Sequence, residues 1–170
     1  MVLPFDPIAE AARQWEHRFG PAGDMAAVTS VMRVQQLLQA AVDRALKPFE
    51  LSFARYEALV LLTFARSGAL PMSAMGERLM LHPASVTGIV DRLERDGLVA
   101  RSAHPTDRRT TLVSLTGNGV EVVGAATNAL TAMRFGLRGT PPEAVQQLTE
   151  LLRALRHEAG DLPAAVAVAD

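Results

Sequence analysis

The sequence predicts a mainly α-helical protein carrying one small β-hairpin, and three observations predict it. Ala, Leu and Val dominate a chain in which 49% of residues are apolar, and aromatic residues are few; Ala and Leu are strong helix formers. Apolar residues recur at helical spacing over most of the chain. Between Leu98 and Leu115 alone the period changes to two, on either side of a turn that contains Pro105. The 170 residues suit one domain, or one domain with long appended helices.

The elements follow in order. Asp6-Pro7 is a helix start, a capping acid followed by proline at the first helical position. Ile8, Ala11, Ala12, Trp15 and Phe19 then share one face, and Gly20-Pro21 ends the helix. Asp24 is placed to cap a second helix, in which Met25, Val28, Val31, Met32, Gln35, Leu38, Val42, Ala45 and Leu46 recur as far as Pro48. That helix has ~24 residues and is ~36 Å long, with Gln35 interrupting its apolar stripe. Ser52 caps a third helix that Ser67-Gly68 closes; its middle, Ala58 to Phe64, is apolar nearly all round and is predicted to be buried. Leu70-Pro71-Met72 reads as an extended link. Ser73 is placed to cap a two-turn helix with Met75, Leu79 and Met80 on its buried face.

After a tight link at Leu81-His82, Pro83 opens a helix whose core side is Val86, Ile89, Val90 and Leu93, and Gly97 ends it. Two short helices joined by so short a turn form a helix-turn-helix. Leu98 to Ser102 and Thr110 to Leu115 read as two strands around a turn at His104-Pro105-Thr106-Asp107, the wing of a winged helix-turn-helix. Thr116 caps a further helix with Val120, Val123, Ala126, Leu130 and Met133 on one side, broken at Gly136 and Gly139. Pro141-Pro142 starts the last helix, with Val145, Leu148, Leu151, Leu152 and Leu155 apolar. The division expected is an N-terminal extension and dimerisation helix (1–48), a winged helix-turn-helix (49–116), C-terminal dimerisation helices (117–160) and a tail (161–170). The outer helices expose more apolar stripe than one small domain can cover, which points to a two-fold homodimer; the alternative is a monomer in which they pack on one another.

A net charge of −1 argues against a bulk nucleic-acid coat and leaves room for a local basic surface. Lys47 is the only lysine. Arginine makes the better forked contact to phosphate and guanine, although GC-rich coding gives the same skew. With no cysteine, disulfides, thiolate zinc sites and thiol-based sensing are excluded. No apolar run is long enough to span a membrane, and the start of the chain, which soon carries Asp6, Glu10 and Arg13, does not read as a signal peptide. A cytoplasmic protein is expected, without metal or cofactor: His17, His82, His104 and His157 have no metal-ligand spacing.

From Leu70 to Thr116 the sequence resembles the multiple antibiotic resistance regulator (MarR) family. The resemblance is carried by Met72-Ser73-Ala74-Met75-Gly76-Glu77-Arg78-Leu79, His82-Pro83-Ala84-Ser85-Val86-Thr87, Val90-Asp91-Arg92-Leu93-Glu94-Arg95-Asp96-Gly97-Leu98-Val99, Asp107-Arg108-Arg109 and Leu112-Val113-Ser114-Leu115-Thr116. Each stretch alone is weak and the combination is specific; the helix order on both sides also fits. The resemblance implies a homodimer that binds double-stranded DNA, commonly a repressor of nearby genes.

The residues agree with it. Opposite the core face of the Pro83 helix lie Ala84, Ser85, Thr87 and Gly88, small enough to let the helix settle into a major groove. The Ser85 and Thr87 hydroxyls can bond base edges or phosphates, and the free N–H groups of the helix start favour a phosphate; equally, Ser and Thr there can be plain capping residues. Ser73 joins this set from the preceding helix. His82 is placed to cap, with a phosphate contact as the alternative. Arg92 is read as part of a solvated face, it and Arg95 paired with Asp91, Glu94 and Asp96. In the wing, Arg101, Arg108 and Arg109 face Asp107 alone. The resemblance implies that Asp107 braces Arg109, which enters a minor groove, where narrow width concentrates negative potential.

The resemblance also implies a small, often aromatic or phenolic effector bound between the dimer helices and the reading core. Met32, Gln35, Gln36, Arg55 and Tyr56 are the candidates, with ordinary core or surface as the alternative for each. Trp15 is similar to a tryptophan that lines the pocket in a urate-responsive branch, or it only packs the extra helix; that branch's acid and arginine partners have no clear counterpart. Two rival classes remain. Gly117-Asn118-Gly119 opens a helix after a strand, as in a dinucleotide site, but Val122 stands where the third glycine belongs and alternating strands and helices are lacking, so an enzyme is not expected. The other rival is a helix-turn-helix dimer that binds only a protein partner.

Overall fold

The computed structural model describes residues 4–107 and 109–162, in two compact units, one ending at Gly136 and the other beginning at Leu137. The first unit contains α1 (Pro7–Phe19), α2 (Gly23–Leu46), α3 (Phe53–Thr63), β1 (Ala69–Pro71), α4 (Met72–Leu79), α5 (Pro83–Arg95), β2 (Val99–Ala103), β3 (Thr111–Leu115) and α6 (Gly117–Ala132). The second contains α7 (Pro142–Glu158). The predicted mainly helical winged helix-turn-helix is present. None of the described helices is long and apolar enough to cross a membrane.

Several helix ends are fixed by the residues the sequence singles out. The Asp6 carboxylate accepts from the Ile8 N–H at 2.9 Å ahead of Pro7, and the Thr116 hydroxyl accepts from the Gly119 N–H at 2.9 Å. α2 has the expected length, but Ala22 rather than Asp24 stands at its cap; Asp24 lies inside the first turn, where its charge suits the helix dipole. Ser73 does not cap α4. Pro71 holds the cap position without a side-chain bond, because the preceding residues are drawn into a strand.

That strand is β1, which sequence periodicity reads only as an extended link. It pairs antiparallel with β3 (Leu70 opposite Val113), and β3 pairs with β2 (Arg101 opposite Val113), giving the order β1-β3-β2. Three residues are too few to display a period, and only the partner strand defines them. The core lies between this sheet and the helices, with Leu46, Leu59, Met75, Val86, Val90, Leu93, Val113 and Leu130 fully enclosed. The glycine after β3 has a packing role: a Cβ on Gly119 would stand 2.0 Å from the Leu98 carbonyl oxygen. No other residue fits there, which accounts for the glycine pattern that superficially suggests a nucleotide site.

The second unit is described by itself. Pro142 opens α7, and Leu151, Leu152 and Leu155 along it are exposed.

Candidate nucleic-acid interface

The turn between α4 and α5 is three residues long. Met80 takes a left-handed conformation (φ 55°) and its N–H donates to Glu77, while the Leu81 N–H donates to the Gly76 carbonyl at 3.0 Å. This geometry swings the Met80 side chain out to 66% exposure, where the sequence places it on the buried face. His82 caps α5: its Nδ1 accepts from the Ala84 N–H at 3.2 Å, and its carbonyl accepts from Ser85 and Val86. The free N–H groups expected at this helix start are therefore already paired, and phosphate attraction there reduces to the helix dipole.

α5 buries Val86, Ile89, Val90 and Leu93 and turns Ala84, Ser85 and Thr87 to solvent, with Gly88 half-buried among them. A Cβ placed on Gly88 would meet no atom within 4 Å outside its immediate neighbours and its own helix backbone. The Thr87 hydroxyl donates to the Pro83 carbonyl at 3.1 Å, which leaves its oxygen lone pairs to accept. Ser73 is exposed in the first turn of α4. The result is a shallow, uncharged ridge of small side chains.

The acids of α5 are used differently from the sequence expectation. Asp91 and Glu94 pair with Arg101 of β2, at 2.6 Å each, and Glu94 also accepts from the Arg101 backbone N–H. Partial burial opposes the charge on Arg101, but the bonds to Asp91 and Glu94 outweigh it and hold the guanidinium above its ordinary pKa. Arg101 thus clamps the wing to the reading helix and is not part of a free basic patch. Asp96 pairs with Arg55, whose side chain is only 14% exposed and which also donates to the Glu50 carbonyl at 2.9 Å. Arg92 and Arg95, expected to pair with these acids, have no ion pair among the described residues. Arg92 instead lines a cleft of about 640 Å³ with Arg44, Lys47, Arg55, Asp43 and Glu50.

In the wing turn, Asp107 accepts from the Arg109 backbone N–H at 3.0 Å and from the Thr110 hydroxyl at 2.6 Å. The Thr110 bond, then the Arg109 amide, hold its carboxyl below the usual aspartate range. The brace acts through backbone and hydroxyl; no ion pair between Asp107 and the Arg109 guanidinium accompanies it. His104 Nδ1 accepts from the Thr106 and Asp107 N–H groups, a second fastening that the sequence does not announce. The side chain of Arg109 is exposed. Arg108 lies outside the described residues.

A profile of the MarR family matches residues 55–111, from the first turn of α3 to the start of β3. The uncharacterised HTH-type transcriptional regulator YhbI of Bacillus subtilis is 35% identical over 118 residues, covering 69% of this chain and 71% of that protein. The chain belongs to the MarR family. Among solved structures, the MarR family transcriptional regulator Sco5413 from Streptomyces coelicolor is 55% identical, with a TM-score of 0.75 over 83% of this chain and 98% of that one. Sco3205, another MarR family regulator from that organism, was solved in complex with DNA; it is 25% identical with a TM-score of 0.73 over 90% and 96% of the two chains.

The six expected effector residues do not come together in this MarR family chain. The Trp15 ring packs on Phe19 at 4.9 Å, and Met32 is 62% exposed on α2. Gln35 and Gln36 are exposed, Gln36 accepting from Arg33 at 3.2 Å. Arg55 lines the cationic cleft described above. Tyr56 lines a separate aromatic cleft, and its hydroxyl lies 3.1 Å from that of Thr127.

Proposed function

We propose that this chain is a DNA-binding transcriptional regulator that acts as a homodimer and inserts α5 into the major groove. The small-residue ridge of α5, with open space above Gly88, carries this reading: a helix that presents no long side chains can approach base edges closely. Ser85 and Thr87 supply adaptable hydroxyls, and Arg109 of the braced wing reaches the adjacent minor groove. Arg101 and Arg55 act indirectly, by fixing the wing and the far end of α5. Two copies would place their α5 helices one turn of DNA apart, ~34–36 Å, on a near-palindromic site, with affinity falling as salt rises. The exposed apolar residues of α2 and α7 suit them as dimer surfaces. This role is regulatory rather than enzymatic and belongs to the compartment that holds the DNA, the cytoplasm. Release by a small effector, common among such regulators, fits the presence of clefts beside the reading core.

Selection of bound fragments from genomic DNA by the purified protein, followed by gel shift on the enriched site, tests the proposal. Gly88→Trp, where a Cβ meets open space, is expected to keep the helical circular-dichroism spectrum and to weaken binding about 100-fold or more by blocking the groove. No enrichment at any salt concentration, or unchanged affinity in Gly88→Trp, would sink it.

A further inference from the structure

The aromatic cleft beside the reading core has a chemistry of its own. It measures about 340 Å³ and is walled by Phe53, Tyr56, Phe64, Leu79 and Phe135, with Glu57 at its edge. Phe53 and Tyr56 stack at 6.2 Å. Phe64 is 73% exposed and Phe135 39%, so aromatic faces are open to a ligand.

Only two of the lining residues are polar, and only one of them is available. The Thr127 hydroxyl donates to the Val123 carbonyl at 2.7 Å, so the Tyr56 hydroxyl, 3.1 Å away, donates to Thr127 and has no proton left for a ligand. That leaves the Glu57 carboxylate, which accepts hydrogen bonds and carries negative charge. A phenolate or carboxylate entering here would find no donor and a like charge. A cation would find a counter-charge and several π faces. Partial withdrawal from water pushes the Glu57 carboxyl above the ordinary glutamate range.

The Phe135 wall is held under strain. Arg134, Phe135 and Gly136 all have positive φ (52°, 51° and 91°), a left-handed conformation disfavoured for residues other than glycine. Gly136 fixes the kink by close approach to α2: a Cβ there would stand 3.0 Å from Leu38 and 3.3 Å from Ala41. The kink is what brings Phe135 to the cleft.

We infer that this cleft binds an apolar molecule bearing a single cationic nitrogen, a lipophilic amine or quaternary ammonium, and not the phenolic compound the family resemblance implies. The inference builds on the effector-responsive part of the proposed function, and it names the class of effector. Leu79, at the end of α4, gives an occupant direct contact with the helix-turn-helix.

Titration calorimetry on the intact chain with 4-phenylbutylammonium, 4-phenylbutanol and 4-phenylbutyrate tests it, since the three share a shape and differ in charge. The ammonium is expected to bind about tenfold more tightly than the alcohol, and the carboxylate to bind weakest. In Glu57→Gln, at a solvent-exposed position, the ordering by charge should collapse while circular dichroism stays unchanged. Phe135→Leu keeps the apolar wall but removes a π face, and should weaken the ammonium more than the alcohol. Equal affinities, tighter binding of phenylbutyrate, or a charge preference that survives Glu57→Gln would overturn the inference. So would binding of none of the three, with Phe64→Ser converting a dimer to a monomer as the sign that a second copy fills the cleft. A gel shift run separately reports on DNA binding: probe binding without DNA binding would count against the proposed function and leave the ligand class standing.

Discussion

α5 and α2 carry similar apolar stripes with opposite fates. In α5, Val86, Ile89, Val90 and Leu93 are buried by other elements of the same unit. In α2, only Val42 and Leu46 are buried, whereas Val28, Val31, Met32, Val34 and Leu37 are exposed. One copy of the chain therefore satisfies its reading helix and leaves most of its longest helix unsatisfied. An apolar face of that size is expected to meet another apolar surface. The difference separates a part that folds for itself from a part that we propose folds for assembly.

The largest effect that would sharpen this contrast is a charge on each stripe. Val90→Asp should cost about 4 kcal/mol or more, because it buries an unpaired carboxylate, and chemical denaturation should show the fold lost. Val31→Asp with Leu37→Asp should keep the helical circular-dichroism spectrum and shift the species seen by light scattering from dimer to monomer. A double variant that stays dimeric would remove α2 from the interface.

A smaller effect is expected at the joint between reading helix and wing. Arg101→Ala strips Asp91 and Glu94 of their shared partner, and should destabilise the chain by about 2 kcal/mol and weaken DNA binding without any contact to DNA of its own. Arg101→Lys should restore only part of the loss, since a single ammonium cannot fork to both acids. If DNA affinity falls in Arg101→Ala with no loss of stability, the clamp is the wrong account and Arg101 touches DNA directly.

The smallest effect lies in the wing turn. The Asp107 carboxyl is held below its ordinary range, so its bonds to Thr110 and the Arg109 amide stabilise the turn fully above the unfolded pKa and are lost as pH falls through the folded one. The Arg109 amide resonance should titrate with a midpoint below the usual aspartate range, and Asp107→Asn should abolish that titration. A midpoint at or above the ordinary range would mean the brace is not formed in solution.

Helix positions, the α4–α5 turn and the core face of α5 were legible in the sequence because each is local: a period of 3.6, a proline at a first turn, a histidine at a cap. The partners of charged groups were not legible. Sequence proximity pairs Arg92 and Arg95 with Asp91, Glu94 and Asp96, yet those acids bond Arg101 and Arg55, from β2 and α3. The lining of the aromatic cleft was not legible for the same reason. Spacing along a helix identifies a face, and a cleft is made of faces from several elements; Phe53, Glu57 and Phe64 share a face of α3, but nothing in the sequence joins them to Leu79 and Phe135.

By itself, then, the sequence determined the element order, the small-residue face of the reading helix and the presence of a wing hairpin, because helix and strand period, turn chemistry and side-chain size act over a few residues. Tertiary structure alone decided that β1 is a strand, that Arg101 is a clamp and that an acid stands in an aromatic cleft. Each of these depends on what a distant segment brings to the same point in space, and no local rule carries that information.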